Sequence, residues 1–429
     1  MIEPRSLARH AAVACLAVLA VACSQTSKED DVTTPTVGES LATGEAKLQS
    51  GLTTLSTTDL LAAANAFRAA AAASASDPSA TQAQKDEANF FGAAALLAIV
   101  ADPSSSTAAA GTYDTFGALL DAFGLGGSPL DRGHLDTIRF VDCTASGCRL
   151  KTFPPNSPSS RDVQAFLLAK AGGALQGVVA ALGNVSSSFQ HRLTVRNTVI
   201  ELDQADALLL RALAQAFLGL VQLQRAYDLG VDVDALQAAV QPGMPAVDVA
   251  AFLAANPALG TLTDAAQLSA ARESFLGAIA GARAGVASLR AETDDQADDV
   301  LKLARTACTF SGPPTYGYTC TTTYNASADL DAFLDSLDQA SAVIGATGPV
   351  TVSGVLVDPT RFFAGIDLRS KLPTAWDAGP AGNLPGPFPD VTFGGLFVNG
   401  LPEANLDANG DGSPDWLASL GRSLRLPRL

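Results

Sequence analysis

Helical patterning of apolar and polar positions dominates the first four-fifths of this chain. Residues Gly38 to Asp102 read as three helices. The first runs through Ala46-Lys47-Leu48-Gln49-Ser50-Gly51-Leu52. The second runs from Asp59 to about Ala73, with Asp59 as its N-cap and Asp77-Pro78 as its stop, because proline cannot continue a helix. The third runs from about Thr81 to Val100 and ends at Asp102-Pro103. Tyr113 to Phe123 is expected to be helical, and Gly124 to Pro158 to hold turns and two or three short strands. Ser159 or Ser160 caps a helix from Arg161 to about Leu182. The most apolar helix spans Gln204 to Tyr227 (ALLLRALAQAFLGLVQLQRAY from Ala207), with Asp228-Leu229-Gly230 as its stop. A helix of that composition is expected to be buried on most faces. Further helices are expected near Ala246–Ala255, Asp264–Ala291, Asp294–Ala307 and Ser327–Ile344.

After Gly345 the pattern changes. Pro349 to Val357 alternates valine with small polar residues, which suits a strand. Beyond it, Pro373, Pro380, Pro385, Pro387 and Pro389 interrupt an apolar, aromatic run that includes Trp376 and Phe393-Gly394-Gly395-Leu396-Phe397. This is unlike a disordered linker and is expected to pack as an irregular arm along the helical body. The chain thus divides into 1–22, 23–38, a helical body 39–344 and an arm 345–429, and its fold class is all-α.

Gly51, Ala63, Phe67 and Ala70 follow one another at intervals of 12, 4 and 3. This spacing resembles the tetratricopeptide repeat, in which small residues sit where paired helices approach and an aromatic fills the gap between repeats. Pro78 comes three residues late, and Gly92 follows Gly51 by 41 residues rather than the family's 34. The resemblance covers about one and a half repeats. It implies an array or bundle of helical hairpins, whose extended faces suit peptides and proteins.

The N-terminus is patterned differently. Arg5 and Arg9 precede an apolar run, Ala11 to Ala22, that ends in Ala20-Val21-Ala22-Cys23-Ser24. A basic start, a short apolar core and small residues before a cleavage point make a secretory signal, too short to span a bilayer. The last residues resemble a bacterial lipobox, with Ala20 where that family prefers Leu. The resemblance implies that Cys23 becomes the lipidated first residue of the mature chain. Ser24 after it resembles an outer-membrane sorting pattern. Residues Ser24 to Gly38 are polar and unpatterned, as a tether between membrane and folded body would be. No later segment reads as long and apolar enough to cross a membrane. The order of hairpin, long mid-chain helix and C-terminal arm also resembles repeat-bearing bacterial lipoproteins, a resemblance that implies no particular activity.

Charge and cysteines narrow the picture. The net charge of −16 argues against nucleic acid and against electrostatic binding to anionic lipid, so membrane association is expected through acyl chains alone. Apart from Cys15 in the signal and Cys23, the cysteines are Cys143, Cys148, Cys308 and Cys320, an even number suited to an oxidising compartment. Local pairing, 143 with 148 and 308 with 320, is the simplest of three connectivities. A four-cysteine zinc site is the rival, but neither pair has the Cys-x-x-Cys spacing of a zinc hook.

One segment carries metal chemistry. Asp407-Ala-Asn409-Gly-Asp411-Gly-Ser413-Pro-Asp415 places oxygen donors at alternate positions around a glycine that permits a sharp turn. It resembles the calcium loops of EF-hand, dockerin and thrombospondin type 3 modules. The resemblance implies Ca2+ held by Asp407, Asn409, Asp411, the Ser413 carbonyl and Asp415, with a structural role. The EF-hand's bidentate Glu is replaced by Ala418, and the alternative is a metal-free Asx-rich turn.

Catalytic signatures are absent: no phosphate loop, G-x-S-x-G or H-E-x-x-H occurs. His134 and His191 are each expected to be ordinary surface or loop histidines. Glu201, Asp203 and Asp206, with Arg211 on the same long helix, are expected to form an internal ion pair that orients the helices; the alternative is a polar ligand pocket. The expected function is that of a non-enzymatic lipoprotein of the bacterial envelope, anchored to the outer membrane and offering a helical surface to a protein partner. Capture of a small molecule or nutrient is the alternative, and an enzyme the third reading.

Overall fold

A computed structural model describes residues 35–54, 57–100, 113, 116–124, 141–144, 147–150, 154, 157–195, 198–231, 249–292, 304–311, 317–324, 327–352, 354–372, 376–379, 382–385 and 389–400. Cys23 and the loop from Asp407 to Asp415 lie outside them.

The described chain is mostly helical. Helices α1 (Val37–Thr54), α2 (Thr57–Ser74) and α3 (Gln82–Val100) pack in succession. Helix α3 then packs on α5 (Ser160–Gly183), α5 on α6 (Gln204–Ala226), and α6 along α8 (Ala265–Ala291). The short helices α4 (Phe116–Ala122) and α7 (Val249–Ala255) lie between these in sequence. The helix starts are written locally. Thr36 with Glu39, Thr81 with Gln84, Ser159 with Asp162, and Asp203 with Asp206 each form a reciprocal capping box, in which two otherwise orphaned backbone N–H groups find side-chain acceptors. Asp59 is not the cap of α2, which begins at Thr57. It sits in the first turn and accepts from Lys47 Nζ at 2.8 Å and Ser50 Oγ at 2.7 Å, stitching α2 to α1.

One continuous apolar core runs through α1, α2, α3, α5, α6 and the hairpin before α6. The residues that carried the repeat resemblance are in it: Gly51, Ala63, Phe67 and Ala70 are all buried. The close approach of α1 to α2 is made at Gly44. A Cβ there would lie 2.7 Å from the Phe67 ring, so only hydrogen fits. Helices α6 and α8 approach in the same manner, Gly219 meeting Phe275 and Gly285 meeting Leu209.

Several elements differ from their sequence expectations. The helix expected at Asp294–Ala307 gives way to strand β5 (Ala304–Ser311), paired antiparallel with β6 (Gly317–Tyr324); residues 293–303 lie outside the described chain. Threonines and aromatics on both sides of Gly312-Pro313-Pro314 favour extended, paired backbone over helix. The strand expected over Pro349–Val357 is two, β7 (Val350–Val352) and β8 (Val355–Val357), folded back at Gly354 with φ +86°. Strands β1 (Val141–Thr144) and β2 (Gly147–Leu150) are two of the expected short strands and pair as a hairpin, and β3 (Gln190–Val195) and β4 (Thr198–Asp203) form another where no element was expected. Helices α5 and α6 are, by length and composition, long and apolar enough to cross a membrane, contrary to expectation. Both are built into the core, supplying Leu175, Val178, Leu182, Leu210 and Leu218.

The C-terminal arm is more regular than expected. Helix α9 (Ser327–Ile344) ends under Arg272 of α8, whose guanidinium donates to the carbonyls of Ile344 at 2.7 Å and Ala346 at 2.6 Å. Ile344 ends the helix and Ala346 lies just past it, where carbonyls lack intrahelical partners and take a cation well. Helix α10 (Pro359–Gly365) brings Phe362 and Phe363 onto a second core at Ala226, Tyr227 and Leu268. A further hairpin, β9 (Trp376–Gly379) with β10 (Gly382–Pro385), follows.

Candidate functional site

The residues with the most unusual chemistry meet where α1, α3 and the β3–β4 hairpin converge. Glu45 comes from α1, Glu87 from α3 and His191 from β3. One imidazole nitrogen and one oxygen from each carboxylate lie within 4.8 Å of one another. The hairpin is fixed to α3 on both sides of this point. Asp86, 2% exposed, accepts from the Ser186 backbone N–H at 2.9 Å, from Ser186 Oγ at 2.5 Å and from Gln82 Nε2 at 2.8 Å. Phe189 stacks on Phe90 with centroids 5.0 Å apart, and the His191 ring stands edge-on to Phe91 at 5.1 Å.

His191 is therefore a strand residue with its side chain 14% exposed, not the surface or loop histidine expected. Its Nε2 is shut off from solvent and lacks a hydrogen bond, although Glu45 Oε1 lies 3.1 Å away: the oxygen is off the direction an N–H would take. Among the described residues no lysine or arginine pairs with Glu45 or Glu87. Burial, reinforced by the Glu45 charge, pushes the Glu87 carboxyl up to about 7. Burial pushes His191 below its ordinary value, opposed by Glu45. The imidazole is neutral at neutral pH.

A stability consequence follows from the Glu87 shift. The fold favours the protonated acid, so this contribution is complete below pH 4.5 and is lost as pH rises through about 7. His191 acts oppositely: its contribution is present above pH 6.5 and lost as pH falls through its lowered value. In chelator-treated protein, Glu87→Gln should be on the order of 1 kcal/mol more stable than the parent at pH 8, a figure discounted for solvent screening of a half-buried group. The two should be nearly equal at pH 4.5. Urea melts at both pH values check this; a gain of the same size at both would mean that Glu87 does not titrate with folding.

The other expected sites are distributed differently. Cys143 lies directly opposite Cys148 in the β1–β2 ladder, and Cys308 directly opposite Cys320 in β5–β6. The acidic group before the long helix does not share that helix: Glu201 and Asp203 are on β4. Glu201, nearly buried, accepts from Gln190 and from Arg192 Nε at 2.8 Å and Nη2 at 2.7 Å, and these hydrogen bonds hold its carboxyl below the usual range. Asp203 and Asp206 cap α6. Their carboxylates are thus used before they could meet Arg211. Arg211 instead lines a wide-mouthed cavity of about 470 Å3 with Gln176 and Asn184, its Nε buried and unpartnered. On α6, Phe217 is 50% and Leu220 47% exposed, so this helix is not buried on most faces as expected.

No protein-family model, curated protein or solved structure matches this chain.

Proposed function

We propose that this chain is a non-enzymatic envelope lipoprotein, anchored through Cys23, whose helical body presents a surface to a protein partner. The observation that carries the reading is the exposure of Phe217 and Leu220, one turn apart on a helix whose neighbouring leucines are in the core. Adjacent exposed large apolar side chains favour protein contact, where aromatic anchors supply much of the binding energy. Serial packing of helices is also what a repeat array would give, each element resting on its neighbours in the chain. A photo-crosslinking residue at position 217 or 220 of the full-length protein in its host should give one discrete protein adduct, lost in Leu220→Asp or Phe217→Asp made at the other position. Absence of any adduct from both positions in intact cells would overturn the scaffold reading. Cys23→Ala should move the protein out of the membrane fraction; retention of acyl label in that variant would overturn the anchor.

A second reading, capture of a small anion, is favoured by Arg211. Its buried, unpartnered Nε, in a cavity also lined by Gln176 and Asn184, suits a carboxylate or phosphate group.

The ladder registers support local disulfides. Directly opposed residues of an antiparallel pair have Cα atoms roughly 4.5 or 5.5 Å apart, inside the span of a disulfide. Non-reducing peptide mapping should give only Cys143–Cys148 and Cys308–Cys320 links. A link between the two hairpins would refute the assignment. Each loop is short, so the bridges pin hairpins rather than stabilise the whole body. Calcium at residues 407–415 rests on the sequence pattern alone.

A further inference from the structure

We infer that Glu45, Glu87 and His191 form a site for one divalent transition-metal cation of the zinc class, apart from the calcium-type loop and the cysteines. Three elements distant in sequence bring one nitrogen and two carboxylate oxygens within 4.8 Å of one another. Tetrahedral zinc, with bonds of about 2.0–2.1 Å, would hold such atoms roughly 3.3 Å apart. Glutamate side chains can close that difference by torsion alone.

The donor set selects the ion. Calcium takes six to eight oxygens, and an imidazole is not among its ligands. One imidazole with two carboxylates suits zinc and its first-row neighbours, and leaves a fourth position to water. The imidazole is independent evidence for a ligand. Its Nε2 is buried, makes no hydrogen bond and has a carboxylate oxygen 3.1 Å away, off the direction of its N–H or lone pair. The oxygen is placed beside the nitrogen as a second ligand of one cation would be, where a proton on the nitrogen does not reach it, and without a cation the lone pair and the oxygen repel. The two carboxylates repel as well, with no basic partner among the described residues. A single divalent cation would engage the lone pair, neutralise both acids and relieve both repulsions.

The surroundings are those of a positioned ligand. Asp86 clamps Ser186, five residues before His191, and Phe189 and Phe91 fix the strand and the ring. Contacts that hold a histidine in one orientation are what make it an effective ligand.

Zinc titration of the full-length protein, after chelator treatment and dialysis, tests the inference. One equivalent should bind in the parent protein, with an X-ray absorption spectrum of nitrogen and oxygen donors, one imidazole among them, and no sulfur. Glu45 has its side chain 42% accessible, so Glu45→Gln should leave the circular dichroism melt of the chelated protein unchanged. Affinity in Glu45→Gln and in His191→Ala should fall by at least about 100-fold, at or above the range for losing a ligand's supporting contact. Asp411→Ala and a Cys143→Ser/Cys148→Ser variant should bind as the parent does, and millimolar calcium should not compete. The inference is overturned if the parent does not bind zinc at micromolar concentration. Sulfur in the coordination shell, or binding that survives Glu45→Gln and His191→Ala, also overturns it. In that event the cluster is a proton-sharing set of acids around a neutral histidine.

Discussion

Phe67→Ala should destabilise the protein by about 3–5 kcal/mol, the range for removing a fully buried aromatic ring. Phe67 is 2% exposed and stacks on Phe91 with centroids 4.6 Å apart and planes 20° from parallel. Phe91 meets Phe90 edge-on, and Phe90 stacks on Phe189, so the ring begins an aromatic series running from the α1–α2 hairpin to the β3–β4 hairpin. The same ring fills the space left by Gly44. Truncation leaves a cavity between three helices whose backbones cannot close it without moving the series. Gly44→Val should be destabilising for the converse reason, since the ring cannot retreat from a new side chain while stacked. Chemical denaturation of both variants checks this; a loss below about 1 kcal/mol for Phe67→Ala would mean that the series is not a unit.

Asp86→Ala should cost about 1–3 kcal/mol by a different mechanism, the loss of a buried acceptor. The carboxylate is fully buried and accepts three hydrogen bonds, two from Ser186 and one from Gln82. Alanine leaves the Ser186 N–H buried without an acceptor, and an unmet buried donor is more costly than the average hydrogen bond is stabilising. Because this clamp precedes β3, the loss should also loosen the hairpin that carries His191. Amide exchange checks both parts: protection should fall over Ser186–Val195 more than over α8. Uniform loss across the chain would show that Asp86 contributes to stability without positioning the hairpin.

The elements legible in the sequence rest on interactions between near neighbours. Helices α1 to α3, α5, α6, α8 and α9 lie close to where periodicity, caps and proline stops put them, because a capping box or an Asp-Pro stop acts over three or four residues. Asp264, where the helix was expected to start, is the N-cap of α8, its carboxylate accepting from the Ala266 N–H. The failures come from pairing. The β3–β4 hairpin is marked only by its β-branched residues, Thr194, Val195, Thr198, Val199 and Ile200, a weak signal until the two halves pair. Strand β5 carries the same kind of signal in its threonines, and pairing with β6 overrides the helical pattern that runs into Ala307.

The chain by itself determined that this protein is mostly helical, where most of its helices begin and end, and that its cysteines fall in two local pairs of positions. It did not determine which faces of the helices are inside. Helices α2 and α3 are rich in alanine and apolar on most sides, so no polar stripe marks the buried one. Nor could it show that Glu45, Glu87 and His191 meet, since they are 42 and 104 residues apart and their contact has no periodic signature. The tertiary structure decided both through close approach: Gly44 admits Phe67, Phe67 orders the aromatic series, and Asp86 holds the hairpin that carries His191 to the two acids. Steric fit and the satisfaction of a buried carboxylate act between segments only after they are packed together, which is why this part of the protein is written in its fold and not in any one stretch of its sequence.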